Sequence, residues 1–107
     1  MEIVDLPKPV SFQWDQGNEK KSWLKHKVSN QECEEAFQME DAFIQPDDLH
    51  SGREERYILI SHTRAGRPLL VIFTVRSNQV RVVSARSMHR KEIGFYEEKA
   101  RIAKIQE

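Results

Sequence analysis

Seven arginines stand between positions 56 and 90: Arg56, Arg64, Arg67, Arg76, Arg81, Arg86 and Arg90. No Asp or Glu falls between Arg56 and Lys91. A guanidinium stays charged at physiological pH and offers phosphate oxygens a planar fork of N–H donors. Such a set without interleaved carboxylates is the electrostatic footprint of a phosphate-bearing ligand such as a nucleic acid. The same residues also read as solvated strand edges and hairpin tips, which Arg64, Arg67 and Arg76 fit well. Arg56, Arg81 and Arg86 fall within or at the ends of strand-like segments, where a long charged side chain needs a reason. Lys25–His26 is the second feature. Imidazole moves protons near neutral pH, and an ammonium holds a phosphate as a point charge. The pair equally suits an ordinary helix C-terminus, where both side chains favour the last carbonyls.

Other chemistries find little support. His50, His62 and His89 show no metal-ligand spacing, and His50 beside Asp47 and Asp48 suits a polar loop. Ser61 and Ser84 have no nucleophile-elbow context. No phosphate-binding glycine motif is present, so no nucleotide cofactor is expected. Asp47–Asp48 and Glu54–Glu55 read better as a solvated loop than as an acid–base pair. The single cysteine, Cys33, excludes an internal disulfide framework and a cysteine-rich zinc site. No metal and no cofactor are expected.

The 107 residues, 38% of them hydrophobic, bound the chain to one domain over 1–107 with a modest core. Formal net charge is zero, yet its distribution is uneven. Residues 1–53 carry 6 basic and 11 acidic side chains; residues 54–107 carry 11 basic and 6 acidic. No apolar run approaches the roughly 18 residues that span a bilayer. The start of the chain, with Glu2 and Asp5, has no secretory pattern. A soluble cytoplasmic protein with no membrane partner is expected.

These residues need elements to position them. Residues 1–9, with Pro7 and Pro9, read as an extended tail. Val10–Trp14 alternates and predicts a short strand with Val10, Phe12 and Trp14 on one face. Asp15 would then cap a short polar helix to about His26, anchored by Trp23 and Leu24. Ser29–Glu32 spells a capping box, followed by a helix with Cys33, Ala36 and Phe37 inward. Gln45–Arg53 reads as a loop. Three strands follow, Tyr57–His62, Pro68–Arg76 and Gln79–Arg86, joined by hairpins at Thr63–Arg67 and Ser77–Asn78. The middle one is apolar on both faces and should be central. A last helix begins after Ser87 with Ile93, Tyr96, Ala100 and Ala103 in one stripe, widened by Phe95 and Ile102. Glu97 and Arg101 are spaced to pair on it. The order is β-α-α-β-β-β-α, an α+β fold with helices packed on a mainly antiparallel sheet. Period-2 alternation puts Arg81 and Arg86 on opposite faces unless a bulge or the strand end re-aims one, with terminal Arg86 the expected one. Trp14, Trp23 and Phe43 are large apolar groups that serve either the core or an interface.

Phe12-Gln-Trp14-Asp15, Lys25-His26, Val28-Ser29 and Glu34-Glu35-Ala36-Phe37 resemble the BrnT toxin family. So do His50-Ser51, Glu54-Glu55-Arg56-Tyr57, Gly66-Arg67, Phe73-Thr74, Arg81-Val-Val-Ser84-Ala85-Arg86, Glu92 and Tyr96. The likeness runs from about Val10 to Glu98. It implies a RelE-like fold and a metal-independent endoribonuclease toxin of a type II toxin–antitoxin pair, which arrests growth. The implied partners are RNA and a BrnA-like ribbon-helix-helix antitoxin, with operator DNA reached only through the antitoxin complex. On this likeness and the arginine set, His26, Lys25, Arg81 and Arg86 are the catalytic candidates. Arg56, Tyr57 and Arg90 are the RNA-binding ones; Tyr57, like Tyr96, would stack a base or donate a hydrogen bond, or belong to the core. The chain departs from the family pattern at Asn18 (usually Lys), Ser22 (usually Asn), and Lys27 and Ser61 (usually Gly). Asn18 removes one possible phosphate contact. Asn18, Ser22 and Lys27 motivate a second reading: a catalytically degenerate protein that binds an antitoxin and acts in repression. A third, a plain RNA-binding module, needs exposed aromatics among the arginines. Only Tyr57 and Phe73 lie there, both in strands that look buried.

Overall fold

The computed structural model describes residues 6, 10–49 and 52–105, so His50, Ser51 and most of the 1–9 segment lie outside the described residues. Its elements are α1 (Lys21–His26), α2 (Asn30–Phe37), β1 (Phe43–Pro46), β2 (Tyr57–His62), β3 (Pro68–Arg76), β4 (Gln79–Ser87) and α3 (Arg90–Ile105). The fold is α+β: one antiparallel sheet in the order β1-β2-β3-β4, with helices packed on it.

The expected strands β2, β3 and β4 are present and β3 is central. The β3–β4 turn places Ser77 and Asn78 at φ 50° and 64°, the paired left-handed conformation that matches strand twist in a two-residue hairpin. Two strands differ from the sequence expectation. Val10–Trp14 forms only a single parallel bridge, Phe12 beside Val80. Its apolar side chains nevertheless pack as expected: Phe12 meets Phe37 edge-on at 5.3 Å, and Trp14 lies against the core. Phe43–Pro46 is a strand, not the start of a loop. It is a short edge strand, a setting in which a sheet tolerates Pro46.

The first face of the sheet is the core. Pairing places Leu59, Leu69, Val71, Phe73, Val80, Val82 and Ala85 there, all buried. α2 covers it with Cys33, Ala36 and Phe37; Phe37 and Phe73 meet edge-on at 4.9 Å. Burial pushes the Cys33 thiol up to about 12, so it is an inert packing group. The capping box forms as written, Ser29 Oγ accepting from the Glu32 N–H and Glu32 from the Ser29 N–H.

α1 starts at Lys21 rather than after Asp15. Trp23 and Leu24 are 49% and 69% exposed, so they anchor nothing; the buried residue is Ser22. The helix ends on Lys27 in the left-handed region at φ 55°. A β-carbon there costs on the order of 1 kcal/mol. The Lys27 ammonium over the Trp23 ring returns part of it, at an exposed site. Lys27→Gly is therefore expected to stabilise the protein by about 0.5 kcal/mol. A urea midpoint at or below wild type would contradict this.

On α3, Tyr96 is buried and Ile93, Ala100 and Ala103 are half-buried, as the stripe predicts, but Phe95 and Ile102 face solvent. Arg101 pairs with Glu98, not Glu97. Tyr96 packs edge-on against Phe43, and Lys99 lies over the same ring.

Candidate functional site

The second face of the sheet carries the arginines. β3 and β4 pair as Thr74–Arg81, Phe73–Val82, Ile72–Ser84 and Leu70–Arg86, so Val83 is an extra residue in β4. That bulge resets the alternation. Leu70, Ile72 and Thr74 share a face, and opposite residues of an antiparallel pair do too. Arg81, Ser84 and Arg86 therefore stand on one side of the sheet, with the two arginines roughly 14 Å apart along the strand. The re-aiming expected at the strand end happens mid-strand. Arg56 precedes β2, and its carbonyl accepts the Asp47 N–H at 2.8 Å, extending the β1–β2 ladder by one pair. Alternation then places Arg56 on the same face as Ile58 and Arg81.

Each strand arginine is gripped by a carboxylate. Arg81 donates to Asp15 through Nη1 at 2.6 Å and Nη2 at 3.0 Å, and to Gln13 Oε1 at 3.3 Å. Arg86 donates to Glu92 at 2.7 and 2.9 Å and to the Ser87 carbonyl. In both, the Nε–H has no acceptor among the described residues, so one edge of each fork stays available. The Asp15 carboxyl is held low by Arg81 and then by the Gly17 N–H. Glu92 is held down to about 2, first by Arg86, against burial, and then by the His89 N–H. Its folded pKa lies below its ordinary 4.5, so its stabilisation is present above pH 4.5 and is lost as pH falls toward 2. With both side chains nearly a third exposed, screening leaves about 2 kcal/mol. Glu92→Gln should cost that much at pH 7, and the difference from wild type should shrink steadily below pH 4.5. Urea denaturation at both ends of that range measures it; a pH-independent difference would refute it.

The outer edge of β4 is closed by the N-terminal segment. Val80 exchanges backbone hydrogen bonds with Ser11 and Gln13. Asn18 Nδ2 donates to Val82 O and Gln13 O, and Asn18 Oδ1 accepts the Asp15 N–H. Ser22 Oγ accepts the Ala85 N–H just past the bulge. Asn18 and Ser22 are both buried. Asn18 is thus a structural staple in this chain, its amide engaged with three backbone groups.

The other candidates are placed as follows. Lys25 and His26 end α1 and are exposed, with neither side chain hydrogen-bonded among the described residues. They sit at the Arg86 end of β4, because Arg67 binds His26 O, Lys27 O, Glu32 and Ser87 Oγ at once. Arg67, which the sequence offered as a hairpin-tip residue, is a clamp joining both helices to the sheet. Arg90 opens α3 beside the Arg86–Glu92 pair and is exposed. Tyr57 lies on the face covered by α2, 5.5 Å from Phe73, its hydroxyl on Glu55. Arg64 bonds Gln38. Arg76 grips Glu54 at 2.6 and 2.9 Å, so the Glu54–Glu55 pair splits between Arg76 and Tyr57. Sequence reasoning gave Asp15 only a capping role and Glu92 none of its own. The available signal was that Glu92 is the first acid after the acid-free run.

Among the described residues no three His, Cys, Asp or Glu side chains group as metal ligands, and no helix is long and apolar enough to cross a membrane. A family model described as "Ribonuclease toxin, BrnT, of type II toxin-antitoxin system" matches residues 14–92, a span that runs from Trp14 through the Arg86–Glu92 pair. No curated protein matches the chain.

Proposed function

The chain belongs to the BrnT family of type II toxin–antitoxin ribonuclease toxins, and from that premise we propose that it is a metal-independent endoribonuclease that arrests growth until an antitoxin binds it. The observation that carries the reading is the Val83 bulge, which sets Arg81, Ser84 and Arg86 on one face. In the proposed reaction the ribose 2′-oxygen bonds to phosphorus while the bond from phosphorus to the 5′-oxygen breaks. A base takes the 2′-hydroxyl proton and an acid supplies one to the leaving oxygen. Arg81 and Arg86 donate to the phosphoryl oxygens as charge builds on them. His26 is the proton-transfer group, with Lys25 beside it. Arg56 and Arg90 extend the electrostatic track for the RNA backbone. Tyr57, packed on the other face, is no longer a stacking platform in this reading.

The partner proposed is a BrnA-like ribbon-helix-helix antitoxin, with operator DNA reached only through that complex and action in the cytoplasm. The degenerate reading drew on Asn18, Ser22 and Lys27. Two of these close the β4 edge, and the third is accommodated as a left-handed cap.

The test is tightly induced expression of the chain alone, with growth followed, beside incubation of purified protein with RNA in excess chelator. Arrest with chelator-resistant cleavage supports the proposal. A folded protein that neither arrests growth nor cleaves RNA returns the degenerate reading.

A further inference from the structure

Arg81 is the least exposed arginine side chain among the ion pairs of the described residues, 15% exposed against 53% for its partner Asp15. The turn over residues 13–18 is built around it. Asp15 Oδ1 accepts the Gly17 N–H at 2.8 Å, and the Asp15 carbonyl accepts from Asn18 and Glu19. Asn18 then bonds Val82 O, the residue next to Arg81. The carboxylate is thus tied to the same strand that carries the arginine, in a closed ring of contacts. Gly17 completes the enclosure. A β-carbon there would lie 2.9 Å from Arg81 Nη2, closer than carbon and nitrogen tolerate. It would also lie 3.2 Å from Asp15 Oδ1, and the Gly17 φ is not in the left-handed region, so an alanine would act by displacing the flexible end of Arg81 rather than by straining the backbone.

We propose that Asp15 and Gly17 are positioning residues that fix the direction of the Arg81 guanidinium, leaving its Nε–H edge to meet a phosphodiester oxygen. The inference rests on the ribonuclease reading and deepens it. Asp15 contributes direction at the expense of attraction, since its own negative charge repels RNA. That conflict makes the role measurable. Asp15→Asn removes the repulsion and loosens the fork, so KM for RNA stays level or falls while kcat drops about tenfold or more. Gly17→Ala leaves charge unchanged and pushes Nη2 aside, so kcat drops with little change in melting temperature at this exposed turn. A purely structural role would lower stability without splitting KM from kcat.

The experiment measures both constants on a short oligoribonucleotide for wild type, Asp15→Asn and Gly17→Ala, with nitrogen-15 NMR of the arginine side chains. A held guanidinium gives separate Nη signals at Arg81 in wild type, which merge in both variants. Falling kcat without rising KM in Asp15→Asn, together with merged signals, supports the proposal. Variants within twofold of wild-type kcat, or Arg81 signals identical in all three proteins, overturn it and leave the ribonuclease reading standing. A wild type that cleaves nothing overturns that reading instead, and the Arg81 signals then decide the positioning by themselves.

Discussion

Arg81→Ala combined with Arg86→Ala is expected to slow RNA cleavage on the order of 10³-fold and to abolish growth arrest, in a protein that stays folded. Removing one preorganised donor from a developing oxyanion typically costs a factor of about 10² to 10³. Residues acting on one phosphoryl group are not additive, so the double variant should be only modestly worse than either single one. Folding should survive because the carboxylates left behind are not stranded. Asp15 is 53% exposed and keeps the Gly17 N–H, and Glu92 keeps the His89 N–H. Lysine at either position should fail nearly as badly, since it cannot bridge two carboxylate oxygens while presenting a further donor edge. The measurement is single-turnover cleavage with near-ultraviolet circular dichroism as the folding check. Rates within threefold of wild type would remove both arginines from the site and leave Lys25–His26 to carry the chemistry.

The arginine face was half legible in the sequence. The strand limits of β2 and β3 followed from β-branched composition, because those strands are buried on one face and largely half-buried on the other. Which face Arg86 takes did not follow, because a bulge is a register event and register is set by pairing. A trace was present in β4: inward Val80 and Val82 are followed by inward Ala85, one residue late, with Val82–Val83 doubled and polar Ser84 after them. The missed strand β1 is four residues long and ends in Pro46, so neither alternation nor composition could separate it from the loop after it. The premature start of α1 has a different origin. Asp15 does cap, but it caps a turn: its side chain serves Gly17 and Arg81, and helical geometry begins only at Lys21. Carboxylate partners 66 positions away from Arg81 leave no local pattern to read.

Asn18→Asp is expected to be strongly destabilising, by about 3–4 kcal/mol at neutral pH. The side chain is 5% exposed and its amide nitrogen donates to two carbonyls, Gln13 O and Val82 O, each at 3.0 Å. Aspartate keeps the shape and replaces that donor with an anionic oxygen. Two buried carbonyls then lose their partner and face a like charge, which costs more than the absent bonds alone. Asn18→Ala should be milder, at about 2 kcal/mol, because it strands the same groups without adding charge. Asn18→Lys, the usual residue of the family, should be milder still. Its ammonium can donate to both carbonyls and leaves only the Asp15 N–H without an acceptor. For a domain of this size the aspartate variant should melt about 15 °C below wild type. Lowering the pH should recover part of that loss, since a protonated carboxyl regains one donor. Thermal melts of the three variants at pH 7 and pH 4 give the order, and an aspartate variant as stable as the lysine one would show that Asn18 does not hold the N-terminal segment to β4.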